Sequence, residues 1–180
     1  MSVRGHRGVT LIELLISVAL GFILIMLAVP AYNTWTADAE VSSAASSIAD
    51  GLRRAGAEAI KRNTGVEFVV APAVGWTARL AAILPALPGT GTVFAEARFA
   101  EGAKRVAVTP DNGTTTVTFN ALGGITQPNA TDGSDPIAFI DLDIPGVAKR
   151  PLRVLVGVTH NGIKICDPKF AWPADPKGCP

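Results

Sequence analysis

The chain has 180 residues, of which 17% are charged, and its formal net charge at pH 7 is +1. A charge this close to zero excludes a long-range positive field that would hold nucleic acid by phosphate attraction alone. The 18 glycines and 13 prolines favour a turn-rich β domain over a helical bundle, and the length allows one membrane segment plus one domain of about 140 residues.

The N-terminus joins a short basic leader to a long apolar run. Arg4 and Arg7 precede Gly8, and no charged side chain occurs between Leu14 and Ala37. Since a helix rises about 1.5 Å per residue, roughly 20 such residues cross the hydrocarbon core of a bilayer. The run therefore predicts a membrane-spanning helix whose basic end stays in the cytoplasm.

One carboxylate, that of Glu13, lies inside this apolar run. In lipid it costs on the order of 2.5–3.5 kcal/mol, so a functional role is the default interpretation. A permanent anchor gains nothing from it, whereas a helix that leaves the lipid to pack among other helices could pair it with a cation. A neighbouring subunit's N-terminal amine is such a cation, and a cut between Gly8 and Val9 would create it. An ordinary secretory signal fits less well, because its apolar core normally carries no charge.

The string Gly-Val-Thr-Leu-Ile-Glu-Leu at residues 8–14 resembles the class III signal of type IV pilins and type II secretion pseudopilins. The resemblance implies that a prepilin peptidase cuts after Gly8 and methylates the new N-terminus at Val9, where the family usually has Phe. It also implies that Glu13 aids assembly. Pro30 matches a helix-breaking proline common in the family, so we expect the helix to be bent or interrupted there.

We divide the chain into a leader (1–8), a transmembrane or filament-core helix (9–36) and an exported pilin domain (37–180). The helix is predicted to continue to about residue 62, because apolar residues recur at alternating spacings of four and three. This stripe consists of Val41, Ala45, Ile48, Leu52, Ala55 and Ala59. The sequence Asn63-Thr64-Gly65 then predicts the end of the helix.

Short β-like runs fill residues 66–166. The predicted strands are 66–70, 76–80, 104–109, 114–120, 137–144, 152–159 and 163–166, with 93–99 ambiguous between helix and strand. Turn signals at 110–113 and 161–162 predict hairpins between the flanking strands, and the polar segment 127–135 predicts an exposed loop. Short links favour antiparallel pairing. The predicted fold class is α+β, with one long N-terminal helix followed by an antiparallel sheet domain of about seven short strands.

Residues 123–166 resemble the globular domain of minor pilins in the FimT/FimU–GspH group. Residues 119–123, Phe-Asn-Ala-Leu-Gly, are similar to an F-N-x-x-G segment of that group, and 161–168 resemble its C-terminal strand and the following turn. The resemblance implies a FimU-like minor pilin that joins the tip or priming complex of a type IV pilus. The alternative within the class is a type II secretion pseudopilin.

The same resemblance implies partners and a location. The precursor would be a single-pass protein of the inner membrane with a periplasmic C-terminal domain, processed by the prepilin peptidase. After assembly it would lie in a filament at the cell surface, in contact with other minor pilins and the major pilin through its helix and its β domain.

Two cysteines, Cys166 and Cys179, bracket a proline-rich tail that has no periodicity of its own. Because an exported domain can keep a disulfide, we predict that they pair, which would stabilise the fold by about 3 kcal/mol. The alternative is a metal site that includes His160, but one His and two Cys are too few ligands, so no metal is predicted.

The tail also carries Lys164, Lys169 and Lys177 beside aromatic residues, a pattern that can track phosphates and stack bases. Some FimT-like proteins take up DNA through a G-R-x-R motif on the last strand, and the matching stretch 161–164 keeps only Lys164 as a cation. DNA binding for natural transformation is therefore a less favoured alternative to a packed edge for subunit contact.

The sequence has no nucleophile–base pair and no phosphate loop, so we expect neither enzymatic activity nor a cofactor.

Overall fold

The computed structural model describes residues 10–81, 91–157 and 162–180. One long helix, α1 (Leu11–Arg62), precedes all the strands. The strands are β1 (Val66–Ala71), β2 (Gly75–Leu80), β3 (Val93–Arg98), β4 (Ala107–Pro110), β5 (Thr116–Phe119), β6 (Phe139–Asp143), β7 (Leu152–Leu155), β8 (Lys164–Ala171) and β9 (Gly178–Cys179). The predicted α+β class with a long N-terminal helix is confirmed, and the described residues form nine strands rather than about seven.

α1 has a defined beginning and end. At its start the side-chain oxygen of Thr10 accepts the backbone N–H of Glu13 at 3.3 Å. At its end Asn63 is left-handed, with φ 48°, and its N–H donates to the carbonyls of Ala59 and Ile60. Asparagine tolerates this conformation better than most residues, so the predicted helix end is confirmed.

The helix runs without interruption through Pro30. A proline removes a single backbone donor, and its fixed φ of about −65° is compatible with a helix. The interruption considered from the sequence is therefore wrong, and the bend at Pro30 stays a prediction.

Two sheets pack around the C-terminal half of α1. The first has the order β3-β2-β1-β5 and the second β4-β6-β7-β8-β9. All neighbouring strands are antiparallel except β8 and β9. The six residues of the predicted stripe are fully buried between helix and sheets, beside large core side chains such as Phe68, Ile140 and Leu142. The stripe from Val41 to Ala59 is therefore confirmed as the domain-facing side of α1.

The predicted hairpin between 104–109 and 114–120 is wrong. β4 pairs with β6 and β5 pairs with β1, so the short turn Asp111–Gly113 carries the chain from the second sheet to the first. Asn112 has φ 54°, as the turn signal requires. The signal located the turn, but burial of Val117 and Phe119 decided which strand β5 pairs with.

Residues 127–135 form the predicted loop, with six of the nine residues exposed, but two of its polar side chains are buried. The Asn129 side chain is buried, accepts the backbone N–H of Thr118 at 2.9 Å and donates to the carbonyl of Thr116 at 3.0 Å. Thr131 is buried too, with its hydroxyl 3.4 Å from that of Thr118. The Asn129 amide makes hydrogen bonds to the edge of β5 as another strand would, which is why this polar residue can be buried within an exposed loop.

Three other sequence predictions concern strand β3 and the C-terminal part of the chain. β7 and β8 pair antiparallel, as the turn signal at 161–162 predicted, while residues 158–161, including His160, lie outside the described residues. The ambiguous segment 93–99 contributes strand β3. The tail packs more regularly than expected, because β8 extends into it and β9 forms the edge of the second sheet.

Candidate functional site

The first half of α1 has an exposed apolar surface. Its most hydrophobic 18-residue window has a mean hydropathy of 2.7, and none of that window is buried against the domain. By length and composition the helix could cross a membrane. An apolar surface of this size needs either lipid or other apolar helices around it.

Glu13 lies in the first turn of this apolar half, with an exposed side chain. Its backbone N–H bonds to the Thr10 hydroxyl oxygen, and its carbonyl accepts the Ser17 hydroxyl at 2.7 Å. A negative charge in the first turn also complements the positive end of the helix dipole. The Thr-x-x-Glu spacing is a capping-box signal, and it could have identified Thr10 as the cap from the sequence.

The predicted cleavage site at Gly8 and Val9 lies outside the described residues. The cation predicted to face Glu13, an N-terminal amine, would belong to another subunit. The described residues therefore supply the carboxylate, the capped helix start and the apolar surface of the predicted assembly site.

The tail is attached covalently to the second sheet. Cys166 and Cys179 form a disulfide with their Cα atoms 5.1 Å apart, which confirms the predicted pairing. Asp167, also buried, donates its N–H to the carbonyl of Lys177 at 2.8 Å and accepts the N–H of Lys169 at 3.0 Å. Because the disulfide uses both thiols, the alternative of a metal site on these cysteines is excluded.

The tail lysines have different surroundings. Lys164 Nζ lies 4.7 Å from the centre of the Trp172 ring, a cation–π distance, whereas Lys169 Nζ donates to the carbonyl of Lys149 at 2.7 Å. Phe170 and Trp172 are exposed beside them. Nucleic-acid binding by Lys164, Lys169 and Lys177 stays the less favoured alternative, and Lys164 with Trp172 is the pair that best fits base stacking.

Asp141, on β6, is engaged by an arginine of the neighbouring strand. Asp141 accepts two hydrogen bonds from Arg153, at 2.6 and 2.8 Å. The same guanidinium lies 3.9 Å from the centre of the Phe139 ring. This arrangement links β6 to β7 and is structural in character.

Comparison with known families decides the assignment. Residues 44–157 match the family model described as type II transport protein GspH, and residues 3–29 match the prokaryotic N-terminal methylation motif. The chain belongs to the GspH family. No curated protein and no solved structure matches significantly. The GspH match runs from the domain-facing half of α1 to just past β7, and the methylation motif covers the apolar half.

Membership of the GspH family confirms the resemblance to type IV minor pilins and pseudopilins. Subunits of this class are structural, and the methylation motif is a site on which a peptidase acts rather than an activity of the chain itself. Together with the apolar half of α1, the motif indicates a membrane-anchored protein with a C-terminal domain.

Proposed function

We propose that the chain is a minor subunit of a type IV pilus, made as an inner-membrane precursor and trimmed after Gly8. It would then enter the tip or priming complex on which the filament grows. The observation that carries the proposal is a single unbroken helix, exposed and apolar in one half and packed into a folded domain in the other. Such a helix can exchange a lipid surrounding for a bundle of similar helices without unfolding the domain.

The lone carboxylate of Glu13 gives this exchange a direction. In lipid the charge is costly, whereas beside a neighbouring subunit's N-terminal amine it has an opposite charge at short range. In low-dielectric surroundings that attraction is much stronger than in water. The bundle is then favoured over the bilayer, and the register between neighbouring helices is set by the position of the pair.

Replacing Glu13 tests this role directly. Glu13→Ala should leave cleavage and methylation intact but reduce the amount of the subunit in sheared filaments about tenfold or more, since about 1.4 kcal/mol changes an equilibrium tenfold. Mass spectrometry of the membrane fraction reports processing, and quantitative immunoblotting of the filaments reports incorporation. Ser17→Ala, one turn further along the same apolar half, is the matched control and should incorporate normally.

Two results would contradict the proposal. Normal incorporation of Glu13→Ala would remove the role of the carboxylate. A native chain that still begins at Met1, or that starts beyond Pro30, would remove the processing step on which the free amine depends.

The second candidate is a pseudopilin of a type II secretion system, which the description of the matched family favours. Deleting the gene in its host separates the two. A pilus subunit should be needed for surface filaments, whereas a pseudopilin should be needed for export of folded proteins while filaments persist. The fold and the apolar helix serve both filaments equally, so the phenotype is the discriminating measurement.

A further inference from the structure

An open groove of about 470 Å³ lies where α1 meets the turn between β6 and β7. One wall, formed by Leu27, Pro30 and Ala31, is apolar and belongs to the apolar half of α1; we call it the apolar wall. The opposite side, formed by Asp38 and Lys149, is the charged wall. The lining includes Leu27, Pro30, Ala31, Trp35, Asp38 and Lys149.

The charged wall is held in place by backbone hydrogen bonds. Asp38 Oδ1 accepts the N–H of Lys149 at 2.8 Å and the N–H of Arg150 at 3.0 Å. Lys169 Nζ donates to the carbonyl of Lys149 at 2.7 Å, which brings a third cation to the same turn. We call Lys149, Arg150 and Lys169 the basic turn. All three side chains are exposed, and Asp38 is the acid bonded to the backbone of Lys149 and Arg150, so the turn keeps an excess of positive charge.

The groove lies at the level of the lipid headgroups when α1 spans a bilayer. The 20 residues 11–30 rise about 30 Å, which matches the hydrocarbon core and puts Pro30 near its boundary. Trp35 and Tyr32 then lie in the interfacial layer, where aromatic residues are enriched. Asp38 is roughly 12 Å beyond Pro30, and Lys149 lines the same groove as Leu27 and Pro30.

We propose that this groove binds one anionic phospholipid, with the headgroup phosphate against Lys149 and Arg150 and an acyl chain along Leu27 and Pro30. The positive charge of Lys149 and Arg150 matches the negative phosphate, and the apolar wall matches the acyl chain. The apolar wall is also continuous with the membrane-spanning part of α1. The proposal rests on the membrane-anchored stage of the proposed function. Each cation near an anionic lipid surface strengthens attraction to it about fivefold.

Quenching of tryptophan fluorescence by brominated lipid tests the site in the full mature chain, reconstituted in phosphatidylcholine vesicles that contain phosphatidylglycerol. Trp35 lines the groove, whereas Trp76 is buried in the domain and Trp172 lies in the tail. Brominated phosphatidylglycerol should quench more than an equal fraction of brominated phosphatidylcholine. Trp35→Phe should abolish the lipid-dependent part of the quenching.

Charge variants then locate the headgroup. Lys149→Gln and Arg150→Gln should each lower the preference for phosphatidylglycerol about fivefold. Lys177→Gln removes the same charge from the tail and should leave the preference unchanged. Equal quenching by the two brominated lipids, or an equal loss of preference in Lys149→Gln and Lys177→Gln, would overturn the lipid site while leaving the anchor intact. Absence of quenching by either lipid would overturn the anchored state itself.

Discussion

Asp38 and Glu40 mark the place on α1 where the apolar half ends and the domain begins. Asp38 binds the backbone of the turn before β7, and Glu40 binds Arg105, just before β4, with Oε1 2.8 Å from Nη2. Both acids therefore fasten the helix to the second sheet. The sequence showed only that charged residues reappear after the apolar run. It could not show their partners, because these lie 65 to 112 residues away.

The Glu40 pair predicts a pH dependence. Hydrogen bonding from Arg105 lowers the pKa of Glu40 below its ordinary value of 4.5. Since the folded-state pKa lies below the unfolded one, the stabilisation is fully present above about pH 4.5 and is lost as the pH falls through the lowered value. Glu40→Gln should therefore reduce stability at pH 7, by about 1 kcal/mol or less because the pair is partly exposed.

Thermal melting of the mature chain in detergent at pH 7 and pH 3 measures this effect. The difference in Tm between wild type and Glu40→Gln should shrink at the lower pH, since protonation removes the charge by which Glu40 differs from glutamine. Glu101→Gln replaces an exposed glutamate elsewhere in the domain and should show little difference at either pH. A Tm difference that is the same at both pH values would contradict the assignment of the stabilisation to the ionised pair.

At the scale of the elements, α1 approaches the first sheet very closely at Gly51. A Cβ atom there would lie 2.8 Å from atoms of both Phe68 and Trp76, whose stacked rings have centres 5.3 Å apart. At Gly56, later in the same helix, a Cβ would be 3.5 Å from Phe119, an ordinary contact. The two glycines therefore differ in packing while sharing the same secondary structure.

This difference predicts opposite effects for the same substitution. Gly51→Ala should destabilise the domain by about 1–2 kcal/mol, because overpacking exceeds the gain in helix propensity. Gly56→Ala should be neutral or stabilise by up to about 1 kcal/mol, since it gains propensity without a clash. Urea unfolding of the two variants in parallel measures both, and equal changes would show that Gly51 is not a close-packing position.

Local patterns predicted where the elements are, and distant contacts decided how they pair. The stripe from Val41 to Ala59 was readable because helical periodicity is contained within the segment itself. The pairing of β5 with β1 was not, because it depends on burial of Val117 against residues about 50 positions earlier. Asn129 was missed for a related reason: a polar residue predicts exposure unless its buried hydrogen-bond partners are known.

At the scale of the whole molecule, the Cys166–Cys179 disulfide holds the last strand on the second sheet. Replacing both cysteines with serine should cost about 3 kcal/mol, since the bond closes a short loop in the unfolded chain. It should also speed proteolysis within residues 167–178. Thermal melts and limited trypsin digestion measure the two effects, and reduced wild type should behave like the double variant. Unchanged digestion of the tail would show that β9 holds without the bond.

The features of the candidate sites also divide into those that the local sequence could predict and those that it could not. The leader, Glu13 and the apolar run were recognisable from the sequence because a peptidase and a membrane both recognise a contiguous segment of chain. The groove proposed to bind lipid was not recognisable, because Asp38 and Lys149 are brought together only by the fold. The cation proposed to meet Glu13 was inferred from chemistry alone, since it would belong to a second subunit.

α1 has 52 residues and so is roughly 78 Å long. Apart from the one N–H that Pro30 lacks, its ladder of backbone hydrogen bonds continues from the apolar half into the centre of the domain, with no intervening linker. Tension or torque on the folded domain would therefore reach the apolar half of the helix directly, and the two would move together. A filament built from such helices would transmit a pulling force through helical backbone. The rotation of each helix about its own axis would determine which way its disulfide-bonded edge points.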